Sequence, residues 1–200
     1  LWLNGEEVPD ASTSTRFRAC VDGVKQLASD RVDPRTGKVL VSRADWADMK
    51  VHISSYNTFP TAAGLASSAA GYAALVSALA RLFCAKETFP GELSTIARQG
   101  SGSACRSMYG GFVAWRMGGE REDGKDSLAE QICDENHWPE IRALILVVSD
   151  RKKGTSSTAG MGTSVATSEF LKQRAQTVVP ARLIECENAF RERDFDTFGR

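Results

Sequence analysis

The feature that most restricts the fold of this chain is an uncharged stretch of small residues near its middle. No Asp, Glu, Lys or Arg occurs between Lys50 and Arg81, and residues 60–75 read PTAAGLASSAAGYAAL. Apolar residues then recur at helical spacing, which predicts a helix running to about Phe83. Such a segment either forms a buried helix that packs through its alanines or leaves its backbone accessible to another molecule.

Three interpretations of this stretch stay open from the residues alone. Alanine is the best helix former, so a packed core helix is one. A membrane helix is disfavoured by Pro60, Gly64, Gly71 and the serines. The third is an anion site, because the first N–H groups of a helix lack partners and carry partial positive charge. Gly64 permits a tight turn there, and Ser67 and Ser68 can donate to phosphate or coordinate its magnesium.

Composition excludes several classes of function. The chain has 200 residues, of which 42% are hydrophobic, and its 25 basic and 25 acidic residues give no net charge. This fits a folded protein of one large domain or parts of two, and the lack of a basic block argues against a nucleic-acid partner. Five cysteines without a CxxC pair argue against a disulfide framework or zinc site and favour a reducing cytosol. His52 and His137 are interpreted as structural.

The order of predicted elements indicates an α+β fold rather than a regular doubly wound sheet. A short strand and turn open the chain, and an apolar run at residues 141–150 is typical of a buried strand. Pro139 interrupts the pattern, so we place a domain boundary there, between residues 1–139 and 140–200. Other predicted elements are helices at 15–31, 91–99 and 168–179, strands at 50–57 and 112–117, and a turn at 151–164.

Three segments share a composition rich in Gly, Ser, Thr and Ala. They read PTAAGLASSAAG, RQGSGSACRSMYGG and SDRKKGTSSTAGMG. The second adds arginines that can hold a carboxylate or diphosphate in a bidentate fork, and the third adds Lys152 and Lys153. A solvated loop and a charged turn with an N-cap serine remain the alternatives. Neither GxxxxGK[ST] nor a GxGxxG within a βαβ unit is present, and Cys105 is interpreted as a packed thiol.

These motifs resemble the diphosphomevalonate decarboxylase (mevalonate 5-diphosphate decarboxylase) family. PTAAGLASSAAGYAALVSALA, GSGSACRSMYGGFVAW and LILVVSDRKKGTSSTAGM carry the resemblance, and SGSACRS followed by YGGFVAW is specific to that branch of the galactokinase, homoserine kinase, mevalonate kinase and phosphomevalonate kinase superfamily. The resemblance implies a two-lobed fold. Residues 1–139 would form a ribosomal-protein-S5-domain-2-like lobe without its N-terminus, and residues 140–200 would begin a ferredoxin-like lobe.

The implied activity is a lyase reaction of the mevalonate pathway, which supplies isoprenoids and sterols. Using ATP and Mg²⁺, mevalonate 5-diphosphate is converted to isopentenyl diphosphate with release of ADP, phosphate and CO₂. The resemblance also implies a homodimer, while the cysteine usage favours a cytosolic (cytoplasmic) location and the composition favours neither a nucleic-acid nor a membrane partner. The alternatives are a related small-molecule kinase, such as a phosphomevalonate kinase, and a non-catalytic nucleotide-binding module.

The resemblance also assigns site residues. The ATP and phosphate loop would comprise Ala63, Gly64, Leu65, Ala66, Ser67 and Ser68, with Ser68 as candidate metal ligand. The substrate would contact Ser101, Ser103 and Arg106, and Ser156, Ser157 and Thr158 would lie in the phosphate region. The family's N-terminal lysine motif and catalytic aspartate match no part of this chain. These residues alone are therefore not expected to catalyse the full reaction.

Overall fold

The computed structural model describes residues 1–61, 64–146, 154–155 and 157–200. The chain divides into two compact units. Unit 1 consists of Leu1–Thr61, Leu65–Tyr109 and Ala114–Glu130, and unit 2 contains Gly64, Gly110–Val113 and Gln131–Arg200. The mixture of helices and short strands confirms the predicted α+β class. The boundary near Pro139 stays a prediction.

Seven short strands form three small sheets within the described residues. They are β1 (Trp2–Leu3), β2 (Glu6–Glu7), β3 (Arg31–Val32), β4 (Val39–Val41), β5 (Ser54–Ser55), β6 (Phe112–Trp115) and β7 (Ala129–Cys133). β1 pairs antiparallel with β2 and parallel with β5. Asn4 and Gly5 join β1 to β2 with φ of 54° and 85°, as expected for a two-residue hairpin with an Asn-Gly turn. β3 pairs with β4, and β6 with β7.

The helices of unit 1 are α1 (Thr15–Gln26), α2 (Asp45–Asp48), α3 (Ser67–Leu82) and α4 (Glu92–Gly100). α1, α3 and α4 confirm the predicted helices. α1 begins where the sequence allows a cap, because the Ser14 hydroxyl accepts a hydrogen bond from the Phe17 N–H at 3.4 Å. Such a cap satisfies one of the donors that a helix start leaves without a partner.

Small residues let α1, α3 and α4 pack closely around the core of unit 1. A Cβ atom at Gly23 of α1 would lie 3.2 Å from Ile96 of α4, and one at Gly100 would lie 2.1 Å from the Tyr72 ring of α3. On α3, Ala69 and Ala73 are buried beside Val76 and Leu79. The core cluster comprises Cys20, Val24, Ala28, Trp46, Ala69, Val76, Leu79, Phe83, Ile96, Ala97 and Ala104. The alanine-rich stretch is therefore a core helix along one face.

Unit 2 contains α5 (Ser157–Thr167), α6 (Glu169–Gln173), α7 (Val179–Glu192) and α8 (Phe195–Phe198), with a π-helical turn at Arg174–Val178. Its aromatic residues pack together, with the Phe112 and Phe190 ring centroids 4.4 Å apart. A ring nitrogen of His137 lies 2.9 Å from the Phe190 carbonyl oxygen. In unit 1, His52 stacks on Trp2. Both histidines therefore have the structural roles that the sequence predicts.

Three sequence predictions are wrong in part. Residues 141–146 have no regular secondary structure, and Leu144 is 87% exposed. This apolar run pairs with no strand among the described residues. Residues 147–150 lie outside the described part. The predicted turn at 151–164 gives way to α5 from Ser157 onward. The strand at 50–57 is paired only at β5.

Candidate nucleotide and substrate site

The first turn of α3 has the backbone geometry of an anion site. Ala66, at the N-cap, adopts a left-handed conformation with φ 55° and ψ 38°, and no side chain caps the helix. Gly64 has a φ of +85°, which glycine adopts without strain. The first turn holds no acidic residue. Its N–H groups and the helix dipole therefore favour a negative group. Of the predicted loop, Gly64, Leu65, Ala66, Ser67 and Ser68 are described, and Ala63 lies outside the described residues.

The first and second predicted segments meet in unit 1. The Ser68 Oγ lies 3.2 Å from the Ser101 Oγ, and either hydroxyl can be the donor. Ser68 belongs to the first turn of α3, whereas Ser101 directly follows α4. Residues that are 33 positions apart in sequence thus bring the predicted phosphate loop and the predicted substrate loop into contact.

The second segment forms a 3-10 helix and not a solvated loop. It spans Gly102–Met108, and its Ala104 and Cys105 are fully buried. The Cys105 thiol donates to the Gly102 carbonyl oxygen at 3.1 Å, and burial raises its pKa. A thiol in this state is a packing group and a poor nucleophile, which confirms the prediction. Burial on one side leaves Ser103 half-buried and Arg106 exposed on the other.

Arg106 has an aromatic neighbour that the sequence analysis missed. Its guanidinium carbon lies 5.9 Å from the centre of the Trp115 ring, over the ring face. Trp115 ends β6, a strand separated from the 3-10 helix by Tyr109, Gly110 and Gly111. YGGFVAW pointed to the family, but no spacing rule connects an arginine to a tryptophan nine positions later. Arg106 and Trp115 come together because the chain changes direction between the 3-10 helix and β6, at Gly110 and Gly111.

A cleft of about 450 Å³ lies beside α3 in unit 1. The serines of the first α3 turn contribute to its wall, and apolar residues of β1, α1 and α3 form most of the remainder. Its signal in the sequence is a second stripe of small side chains on α3, at helical spacing: Gly71, Ala74 and Ala78. No heavy atom lies within 4 Å of a Cβ placed at Gly71. The small residues thus pack one face of α3 and leave space along another.

The third segment is described only in part. Ser157 and Thr158 form the first turn of α5 in unit 2, whereas Ser156, Lys152 and Lys153 lie outside the described residues. The assignment of Ser156, Ser157 and Thr158 to the phosphate region stays a prediction.

The described residues contain no group of three or more His, Cys, Asp or Glu side chains that could hold a metal ion. All five cysteines are free. A magnesium ion at Ser68 would take its other ligands from phosphate oxygens and water molecules, because this ion keeps several waters in nucleotide sites. No helix in the described part of the chain is both long and apolar enough to cross a bilayer.

Comparison with known proteins gives one consistent result. The family model described as Diphosphomevalonate decarboxylase-like N-terminal domain matches residues 1–129. The model described as Mevalonate 5-diphosphate decarboxylase C-terminal domain matches residues 143–200. The diphosphomevalonate decarboxylase of Homo sapiens is 52% identical over 200 residues, covering 100% of this chain and 48% of the relative. That of Saccharomyces cerevisiae is 50% identical over 200 residues, with 100% and 48% covered.

Solved structures show the same similarity. A crystal structure of mevalonate 5-diphosphate decarboxylase has a TM-score of 0.81 and 48% identity, covering 98% of this chain and 49% of that one. MDDEF in complex with MVAPP, AMPPCP and magnesium has a TM-score of 0.63 and 29% identity, covering 99% and 54%. The chain spans about half the length of the curated relatives it matches. It belongs to the diphosphomevalonate decarboxylase family.

Proposed function

We propose that the full-length protein decarboxylates mevalonate 5-diphosphate in an ATP-dependent reaction that yields isopentenyl diphosphate, ADP, phosphate and CO₂. The observation that carries this proposal is the 3.2 Å contact between the Ser68 and Ser101 hydroxyls. Phosphoryl transfer requires both reactants in one place, with little covalent chemistry from the protein. A phosphate loop and a substrate loop that share a hydrogen bond meet that requirement.

The ATP phosphates would bind at the first turn of α3. Ala63, Gly64, Leu65 and Ala66 would wrap the phosphate oxygens with their backbone, and the hydroxyls of Ser67 and Ser68 would donate to them. The uncapped helix start without acidic residues fits this charge. Mg²⁺, when bound, neutralises developing charge on the phosphates, and Ser68 would be its ligand from this chain. A related structure, MDDEF, contains AMPPCP and magnesium.

The substrate would bind at the 3-10 helix. Ser101 and Ser103 would hydrogen-bond to mevalonate 5-diphosphate, and Arg106 would pair with its carboxylate or diphosphate. Arg106 is exposed, so its planar fork is accessible to a ligand and can bind two oxygens at once. Ser156, Ser157 and Thr158 would lie at the edge of the phosphate region.

The reaction takes the terminal phosphoryl group of ATP onto the tertiary hydroxyl of the substrate. The C–O bond to the new phosphate then breaks, and the electrons of the bond to the carboxylate form the carbon–carbon double bond as CO₂ leaves. The residues of this chain would bind and orient the reactants and stabilise charge. The catalytic aspartate that the family resemblance implies matches no residue here.

An assay of the full-length protein with ATP, magnesium and mevalonate 5-diphosphate tests the proposal. We expect ADP and CO₂ in equal amounts. ADP without CO₂ would instead identify a small-molecule kinase, and nucleotide binding without ADP release a non-catalytic module.

Two variants of the full-length protein test the assigned residues. Ser68→Ala should lower kcat about 10-fold or more, since it removes a hydrogen bond to a charged group. Arg106→Ala should raise KM for mevalonate 5-diphosphate by a similar factor, because a charge pair is lost. The matched controls are Ser12→Ala and Arg18→Ala, both exposed in unit 1. Unaltered kinetics in either test variant would refute its assignment.

The family resemblance also supports a homodimer located in the cytosol, with no nucleic-acid or membrane partner. Sedimentation equilibrium of the full-length protein and cell fractionation test these two points. A monomer across the micromolar range would refute the first, and recovery with organelles the second.

A further inference from the structure

The binding role proposed for Arg106 requires an ordered guanidinium. Arg106 is exposed on the 3-10 helix, and a long exposed side chain loses much rotamer freedom when it is fixed on a ligand. The side chain is not left to solvent alone, because its guanidinium lies over the face of Trp115 at 5.9 Å. This is within the range at which a cation is attracted to an indole ring.

Trp115 is itself fixed in direction by a hydrogen-bond chain. Its Nε1–H donates to the Ser127 hydroxyl at 3.1 Å, and that hydroxyl donates to the Arg116 carbonyl oxygen at 3.1 Å. Since the single hydroxyl hydrogen of Ser127 is directed to the carbonyl, an oxygen lone pair is left for the indole. Ser127 is only 8% exposed. The Nε1–H end of the indole is therefore held by a buried group.

The same ring also touches the start of the 3-10 helix. A Cβ placed at Gly102 would lie 3.0 Å from the Trp115 Cη2 and 3.4 Å from Cζ3. The edge of the indole thus packs on the backbone at Gly102, while its face lies under Arg106. The Trp115 side chain therefore contacts the 3-10 helix at two places, the backbone at Gly102 and the guanidinium of Arg106.

We propose that Trp115 is a positioning residue for substrate binding, acting through Arg106. Its ring holds the guanidinium in one orientation before the anionic substrate arrives, so less freedom is lost on binding. This inference rests on the proposed function, in which Arg106 binds mevalonate 5-diphosphate. In this role Trp115 acts on Arg106, and not on the substrate or ATP directly.

The test measures KM and kcat for each substrate in variants of the full-length protein. Trp115→Leu removes the ring face and should raise KM for mevalonate 5-diphosphate about two- to fivefold, the range expected for an exposed cation–ring contact. KM for ATP should stay unchanged. Trp115→Phe keeps a ring under Arg106 but loses the hydrogen bond to Ser127, so it should restore part of the affinity, and it keeps the proposal testable if Trp115→Leu fails to fold. A merely space-filling tryptophan would give Phe and Leu variants of equal KM, which would overturn the proposal.

A double-mutant cycle with Arg106→Ala separates this inference from the proposed function. If Trp115 acts through Arg106, Trp115→Leu should raise KM no further in the Arg106→Ala background. If Arg106→Ala raises KM and the effects of the two changes are fully additive, the positioning role is wrong and the proposed function stands. An Arg106→Ala variant with unchanged KM would overturn the positioning role together with the binding role of Arg106, whereas the decarboxylase reaction itself is tested by the release of ADP and CO₂.

Discussion

Replacing Gly100 by alanine tests the close packing that brings α4 to α3. Gly100 ends α4 in a helical conformation, so alanine would ordinarily stabilise this position by up to about 1 kcal/mol through helix propensity. The structure predicts instead that alanine at this position lowers the unfolding free energy. A Cβ at this position would lie 2.1 Å from the Tyr72 Cδ1 and 2.4 Å from its Cγ. Carbon atoms that are not bonded to each other cannot lie this close.

The magnitude follows from how far the ring must move. Carbon atoms in contact prefer about 3.5–4.0 Å, so the Tyr72 ring has to shift by roughly 1.5 Å. Overpacking of this kind costs about 1–3 kcal/mol. When the full gain in helix propensity is subtracted, a net loss of up to about 2 kcal/mol in unfolding free energy is expected.

Urea denaturation of the full-length protein measures this loss. Gly71→Ala, on the helix that carries Tyr72, is the matched control, because its Cβ would meet no atom within 4 Å. It should stabilise by up to about 1 kcal/mol. In a Tyr72→Ala background, Gly100→Ala should also become neutral or stabilising. A Gly100→Ala protein that is as stable as wild type or more so would refute the packing argument.

Two predictions concern ionisable groups. Backbone N–H groups of Glu120 and its neighbours hold the pKa of the Asp126 carboxyl below its usual value. The carboxylate therefore stabilises the folded state above about pH 3.9, and this stabilisation is lost as the pH falls through the lower pKa of the folded state. NMR shifts of the Glu120 amide should titrate in that acid window, and Asp126→Asn should abolish the titration. Burial raises the pKa of the Cys20 thiol to about 11, so iodoacetamide at pH 8 should label half-exposed Cys84 and spare Cys20 in peptide mapping; equal labelling would contradict the burial.

Local patterns in the sequence predict the elements that depend on their own residues. The short strand and turn that open the chain and the amphipathic helix that begins at residue 15 are predicted in this way. The apolar spacing up to Phe83 predicts α3 nearly to its last residue. These signals work because caps, turns and one-sided apolar faces depend on interactions within a few residues.

Other features depend on contacts that no local pattern contains. The strand predicted at 141–150 fails in its described part because an apolar run needs partner strands, whatever its composition. The turn predicted at 151–164 fails from Ser157 onward because small residues are compatible with both turns and helices. Motif order predicts which segments form the site, whereas the Ser68 contact with Ser101 and the Trp115 contact with Arg106 arise only when distant segments pack.

The exposed apolar run in unit 2 affects how this chain behaves in concentrated solution. Leu144, Ile145 and Leu146 are 87%, 60% and 80% exposed, on a backbone that belongs to no sheet. Runs of this kind on two molecules can pair edge to edge and hide each other from water. Light scattering from the 200-residue chain should therefore rise steeply with concentration. A single charge at this position, as in Ile145→Lys, should suppress that attraction between molecules.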